Sequence, residues 1–221
     1  MTKYNLIIFD LDGTLLNTIE DLAASVNFAL EKLNLPTHTV DNYKFMVGNG
    51  VNNLLRRALP ENVRYDTDTF QMLHHNFLNN YAENCENATK PYSGIADLLE
   101  KLQSNGIKIA VASNKIHSAT EELVKNIFPT INFVAIFGQK DGFPIKPDPK
   151  VVEEILKIAQ VQKSDTLYIG DSCVDMQTAQ NAEIDVVGVT WGFRPKSELE
   201  EYNPNFIVDT TKELEEIIFS N

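Results

Sequence analysis

The chain has 221 residues, of which 43% are hydrophobic, 23% charged and 9% aromatic, a balance that excludes the disordered, collagenous and membrane-embedded classes. Its formal charge of −12 repels nucleic-acid phosphates, and it repels small phosphorylated molecules as well unless a local cation reverses the sign. The two cysteines, Cys85 and Cys173, lie in no CxxC or Cys/His spacing, so neither a disulfide framework nor a zinc site is indicated, and a reducing, cytoplasmic setting fits.

The first apolar run, Asn5–Phe9, reads as a buried strand; Asp10 stops it far short of the length a membrane span needs. A helical pattern follows, starting near Asn17 with Glu20 as its capping partner and carrying a stripe of Ile19, Leu22, Val26, Ala29 and Leu33. Asn34 and Pro36 end it. A second helix follows Gly48-Asn49-Gly50 through Val51, Leu54, Leu55 and Ala58 to Pro60, and a third carries Phe70, Leu73, Phe77 and Tyr81. These stripes predict helix-to-helix packing rather than ligand contacts.

Strand patterns at Lys108–Ala112, Phe133–Phe137, Thr166–Ile169, Asp185–Val189 and Phe206–Val208 then alternate with helical ones over Ile95–Leu102, Leu123–Ile127 and Val152–Ala159. Alternation of this kind predicts an α/β fold, a doubly wound parallel sheet of Rossmann-like type. The long, almost wholly helical stretch after the first strand predicts an inserted cap domain over residues 16–88, with residues 1–15 and 89–221 forming a discontinuous core.

Chemistry gathers where strands end. Asp10-Leu11-Asp12-Gly13-Thr14 places two carboxylates beyond the carboxyl end of the first strand, where ligands of open α/β sheets collect. Gly170-Asp171-Ser172-Cys173-Val174-Asp175 delivers two more at another strand end, although Asp175 also fits a plain helix-start residue. If the two strands are neighbours, carboxylates about 4 Å apart repel by roughly 4 kcal/mol at an effective dielectric near 20, so something positive must lie between them. Oxygen donors without nearby His or Cys favour a hard cation, and an open site facing phosphate favours Mg²⁺ over Ca²⁺. Lys146 is braced by prolines in Ile145-Lys146-Pro147-Asp148-Pro149, and Ser113 and Asn114 end a strand with a hydroxyl and an amide suited either to a phosphoryl oxygen or to capping the next helix.

Taken in order, Asp10-x-Asp12-Gly13-Thr14, Ser113-Asn114, Lys146-Pro147 and Gly170-Asp171-x-x-x-Asp175 resemble the haloacid dehalogenase superfamily over nearly the whole chain. Within that resemblance Asp12 points away from the dehalogenases and toward the phosphoryl-transfer members. Asp21-Leu-Ala-Ala24, Asn27, Ala29-Leu30, Val47-Gly-Asn-Gly50, Pro91-Tyr-Ser-Gly94 and Ser113-Asn-Lys115 are similar to bacterial phosphoglycolate phosphatases. Pyrophosphatases and broad sugar-phosphate phosphatases share most of these residues; the β-phosphoglucomutase branch carries a His where Leu22 falls. A non-catalytic phosphate-binding protein is disfavoured by intact Asp10 and Asp12.

The resemblance implies a nucleophile at Asp10, a general acid/base at Asp12, and Mg²⁺ held by Asp10, Asp171 and the Asp12 carbonyl. It implies that Lys146, Ser113 and Asn114 bind phosphate, with Asp175 orienting Lys146. Gly48, Asn49, Gly50 and Arg56 of the cap are expected near the leaving group of a small phosphorylated metabolite. No nucleic-acid or membrane partner is expected, and the chain is expected as a monomer or homodimer. Two residues depart from the family pattern: Asn17 stands where many relatives have Asp, and Glu183 where a Gly commonly ends a helix.

Overall fold

The computed structural model describes residues 3–220. Strand β1 (Leu6–Phe9) leads through a tight loop to the short β2 (Leu16–Asn17), and four helices follow: α1 (Ile19–Glu31), α2 (Val40–Lys44), α3 (Val51–Ala58) and α4 (Thr67–Asn84). The chain returns along β3 (Lys90–Pro91), then alternates through α5 (Ile95–Ser104), β4 (Lys108–Ile116), α6 (His117–Ile127), β5 (Phe133–Gln139) and α7 (Lys150–Ala159). It finishes with β6 (Thr166–Gly170), α8 (Cys173–Ala182), β7 (Asp185–Val189), α9 (Lys196–Glu200), β8 (Phe206–Val208) and α10 (Thr211–Phe219).

Among the described residues the main sheet has six strands in the order β5-β4-β1-β6-β7-β8, and all its pairings are parallel. The expected doubly wound α/β sheet is therefore present. Leu6 pairs with both Lys108 and Thr166, so β1 sits between β4 and β6 where the winding reverses direction. That reversal opens a crevice beyond the carboxyl ends of β1 and β6.

Period-two alternation divides the sheet's side chains between two cores. Ile7, Phe9, Ile109, Val111, Leu167 and Ile169 pack on one face with α5, α6 and α10, while Leu6, Ile8, Ala110, Ala112 and Tyr168 pack on the other with α7 and α8. Burial of both faces explains why these strands read as unbroken apolar runs rather than alternating ones.

β2 and β3 pair antiparallel, Asn17 opposite Lys90, and so clamp together the points where the helical stretch leaves and rejoins the sheet. This pairing corrects the expected start of α1. Asn17 is held extended, the helix begins at Ile19 after Thr18, and the expected Asn17–Glu20 capping pair does not form. The buried Asp21 carboxylate closes the same junction by accepting from the backbone N–H groups of Ala88 (3.0 Å) and Thr89 (2.8 Å). The helix ends as its residues predict, with Asn34 at φ 55° and the Leu35 N–H donating to the Leu30 carbonyl.

Glu183 ends α8 in the left-handed conformation at φ 59°, the geometry a Gly adopts at lower cost. Its Lys163 partner lies at 3.1 Å, but the Glu183 side chain is 80% exposed, so the ion pair compensates little. Glu183→Gly is expected to stabilise the protein by about 0.5–1 kcal/mol, the relief of left-handed strain less the added chain entropy of Gly. Urea denaturation checks this; a lowered midpoint would show that the ion pair outweighs the strain.

Candidate active site

The loop after β1 is fixed before any side chain is considered, because the Asp10 N–H donates to the Ile169 carbonyl at 2.9 Å and ties the ends of β1 and β6 together. Asp10 and Asp171 thereby converge with Asp175 in a buried cluster whose carboxylate oxygens lie within 4.8 Å of one another. The glycines around the cluster provide room for it. A Cβ on Gly13 would meet Asp171 Oδ2 at 2.3 Å, one on Gly192 would meet Asp171 Cβ at 2.3 Å, and one on Gly170 would meet Asp175 Cβ at 2.2 Å.

Lys146 is the positive charge that the sequence requires between the strand ends. Its ammonium, buried to 3% exposure, donates to Asp10 Oδ1 (2.9 Å), Asp175 Oδ1 (2.7 Å) and the Tyr168 hydroxyl (3.1 Å). Burial works against this charge, but Asp10 and Asp175 outweigh it and hold Lys146 well above its ordinary range. One ammonium does not balance three carboxylates. Burial and then the neighbouring Asp175 push the Asp10 carboxyl up to about 7, against the pull of Lys146. The same two causes push Asp171 well above the usual carboxylate range, although it accepts from the Phe193 N–H at 2.7 Å.

Asp175 fulfils both of its expected readings. It stands in the first turn of α8 and accepts from the Ser172 N–H (3.1 Å) and hydroxyl (2.6 Å) through Oδ2, while Oδ1 takes Lys146. With both oxygens held at 2.6–2.7 Å, one of them by the Lys146 ammonium, it is a poorer candidate metal ligand than Asp10, whose Oδ1 alone takes Lys146, or Asp171, whose Oδ1 meets, among the described residues, only the Thr14 hydroxyl at 3.4 Å. A metal could be held by Asp10 and Asp171 on oxygen donors alone.

Asp12 occupies a separate environment. Its Oδ1 accepts from the Thr18 hydroxyl (2.7 Å) and the Lys115 ammonium (3.0 Å), and Oδ2 lies 3.3 Å from the same ammonium. Ser113 and Lys115, two apart on β4, both line the cleft. The Asn114 side chain is engaged by backbone instead. Its amide oxygen accepts from the Lys146 N–H (2.8 Å), and its amide nitrogen donates to the Lys146 and Gly48 carbonyls (both 3.0 Å). The expected phosphate contact from Asn114 is therefore replaced by a brace between Lys146 and the loop before α3.

Of the expected residues from the helical stretch, Gly48 and Gly50 line the cleft. Asn49 does not; its side chain accepts from Arg57 at 2.9 Å. Arg56 is corrected likewise, since it lies 4.3 Å over the Phe70 ring and donates to the Arg64 carbonyl, away from the cleft. Leu22, Leu54, Phe77 and Tyr81, expected as packing residues, also form cleft wall. Thr18 and Arg194 are site residues that the sequence alone did not single out, and Lys115 entered there only as part of Ser113-Asn-Lys115, with no role of its own. For Lys115 a usable signal existed, because a residue two after Ser113 on a strand shares its face.

A family model for haloacid dehalogenase-like hydrolases matches residues 7–189. The chain belongs to that family. The phosphoglycolate phosphatase of Vibrio parahaemolyticus is 31% identical over 218 residues, spanning 96% of this chain and 95% of that protein. That of Pseudomonas syringae pv. tomato is 32% identical over 212 residues, spanning 95% of this chain and 78% of its own length. A crystal structure of a predicted phosphoglycolate phosphatase from Haemophilus somnus superposes with a TM-score of 0.91 at 30% identity, covering 98% of this chain and 99% of its own. One from Lactobacillus delbrueckii subsp. bulgaricus, whose assignment as a phosphoglycolate phosphatase is provisional, gives 0.92 at 35% identity over 99% and 100%.

This haloacid dehalogenase-like hydrolase is accordingly a phosphatase, and a phosphatase acts on a phosphorylated substrate. Among its described residues no helix is long and apolar enough to cross a membrane. Gly192→Ala is expected to cost about 1–3 kcal/mol of stability, because the added methyl must displace Asp171 or the Gly13 carbonyl, which a Cβ would meet at 2.5 Å. Thermal and urea unfolding check this; wild-type stability would show that the loop yields freely.

Proposed function

We propose that the chain is a Mg²⁺-dependent phosphomonoesterase acting through an aspartyl-phosphate on small phosphorylated metabolites, with 2-phosphoglycolate preferred. The observation that carries this reading is the separation of Asp10 from Asp12. Two carboxylates one residue apart have unlike partners, one facing the buried Lys146 ammonium and the other Thr18 and Lys115. Divergent environments of this kind let neighbouring carboxylates take different roles.

Asp10 attacks phosphorus as the ester P–O bond breaks, and Asp12 gives its proton to the departing alkoxide oxygen. Asp12 then takes a proton from the water that cleaves the aspartyl-phosphate, releasing inorganic phosphate and restoring Asp10. Lys146 offsets negative charge on the transferring group, and the Ser113 hydroxyl donates to it. Asp175 keeps Lys146 in place. Mg²⁺ fits the oxygen-only donors, with Asp10, Asp171 and the Asp12 carbonyl as its protein ligands; when bound it neutralises phosphate charge. The shortage of cations around three buried carboxylates supports this assignment.

Residues 16–88 act as a cap that covers the site, on a core of residues 1–15 and 89–221. Support comes from cleft walls contributed by both parts, Leu22, Gly48 and Gly50 from one and Ser113 and Lys146 from the other. Phosphoglycolate is preferred over pyrophosphate or sugar phosphates because relatives that match along almost the whole chain carry that activity in their names.

Removal of divalent ions is expected to abolish hydrolysis of an aryl phosphate, with Mg²⁺ restoring it and Ca²⁺ substituting poorly. Full turnover in excess chelator, measured by phosphate release, would overturn the metal assignment. Asp10→Asn is expected to form no covalent phospho-enzyme, whereas Asp12→Asn slows turnover by about 10²- to 10⁴-fold while still labelling Asp10 with an activated substrate. Equal aspartyl-phosphate labelling of wild type and Asp10→Asn contradicts this division of roles.

A further inference from the structure

On the side of Asp12 where its side chain meets Lys115, the cleft contains two buried polar groups that the phosphoryl chemistry does not use. The Lys115 side chain is 4% exposed, and its ammonium reaches both Asp12 oxygens. Tyr81 is 3% exposed and lines the same cleft, yet its hydroxyl has no hydrogen-bond partner. The ammonium lies 4.7 Å from the Tyr81 ring centroid, so the two polar groups are neighbours in the recess. A buried hydroxyl without a partner is costly, and one that lines a cleft is placed to donate to whatever enters it.

The chemistry of that ligand follows from its neighbours. Burial holds the Tyr81 phenol above its ordinary range, and Asp12 and Tyr81 keep Lys115 above its own against burial, so the pair presents a cation and an O–H donor. The walls beside them are apolar, formed by Leu22, Leu54 and Phe77. The other cations of this end of the cleft lie farther out: Arg194 donates to the Phe45 and Val47 carbonyls, and Lys44 is part-exposed, so Lys115, although paired with Asp12, is the buried cation beside Tyr81. A cation and a donor in an apolar recess select a compact anion.

We infer that Lys115 and Tyr81 bind the leaving-group carboxylate of the 2-phosphoglycolate proposed above, and so are the residues that set its preference over neutral leaving groups. This rests on Asp12 being the acid that meets the leaving oxygen. A group hydrogen-bonded to Asp12 then lies within reach of a carboxylate one carbon beyond that oxygen, and longer or neutral leaving groups leave both donors unpaired. Lys115 and Tyr81 are specificity-determining residues for the phosphatase reaction.

The test compares kcat/KM for 2-phosphoglycolate and for its neutral analogue 2-hydroxyethyl phosphate, in wild type, Lys115→Met, Lys115→Arg and Tyr81→Phe. Wild type is expected to favour phosphoglycolate by about 100-fold or more, as a buried ammonium beside a hydroxyl donor rejects an analogue that lacks the carboxylate charge. Lys115→Met should reduce that ratio by about 30-fold, Tyr81→Phe by about 5-fold with the loss mainly in KM, and Lys115→Arg should retain part of it. A ratio unchanged in Lys115→Met, even with both activities lowered, overturns the inference and makes Lys115 a positioning residue for Asp12. Should Lys115→Met show no turnover or fail to fold, Tyr81→Phe decides, and a ratio within about twofold of wild type overturns the inference. A wild type that hydrolyses aryl phosphate but does not favour phosphoglycolate instead defeats the substrate reading itself.

Discussion

The strand ends at the carboxyl side of the sheet are joined through one buried ammonium. Lys146 joins Asp10 of the first strand's loop to Asp175 of α8, and it does so beneath the crevice where the sheet reverses its winding. Ions buried this deeply are tolerated only when their partners are close and well oriented. The parallel sheet supplies that orientation, because β1 and β6 are neighbours in register and end side by side. Glycines at positions 13, 170 and 192 supply the volume, since any side chain there would occupy the space the carboxylates need.

The helical stretch is tied to the same centre through polar contacts. Asn114 holds the Lys146 backbone on one side and the Gly48 carbonyl on the other. Arg194, in the loop after β7, donates to the Val47 carbonyl at 3.0 Å, and Thr18 at the entry to α1 donates to Asp12. The apolar walls and the charged floor are thus set by one network, and the position of the loop between α2 and α3 depends on side chains that belong to the sheet.

Legibility in the sequence follows the same division. Residues directly at strand ends are readable, because an apolar run interrupted by Asp or Ser has few meanings: Asp10, Asp12, Ser113, Asp171 and Asp175 all reach the crevice region. The fold is readable for a related reason, since strands buried on both faces leave unbroken apolar runs. Side chains whose meaning depends on what lies opposite are not. Arg56 and Arg57 look alike in sequence, and packing sends one to the Arg64 carbonyl and the other to the Met46 carbonyl, neither of them into the cleft wall; of Asn49 and Gly50, only Gly50 lines it. Phe77 and Tyr81 fit a helix-packing stripe and still form cleft wall, because a helix at the rim of a site buries one stripe against both protein and ligand. Thr18 resembles an ordinary capping residue, and its hydroxyl is drawn instead to Asp12.

The central position of β1 also bears on how the chain assembles. Leu6 pairs with Lys108 on one side and Thr166 on the other, so this strand leaves the ribosome long before either of its neighbours. Sheets built from such distant pairings close slowly, and an apolar strand without partners is prone to non-native association in the interval. α1 to α4 emerge during that wait, and they pack mainly with one another rather than with strands still to be made. The order of elements that places Asp10 at the centre of the sheet therefore also leaves its strand among the last that the growing polypeptide can bury.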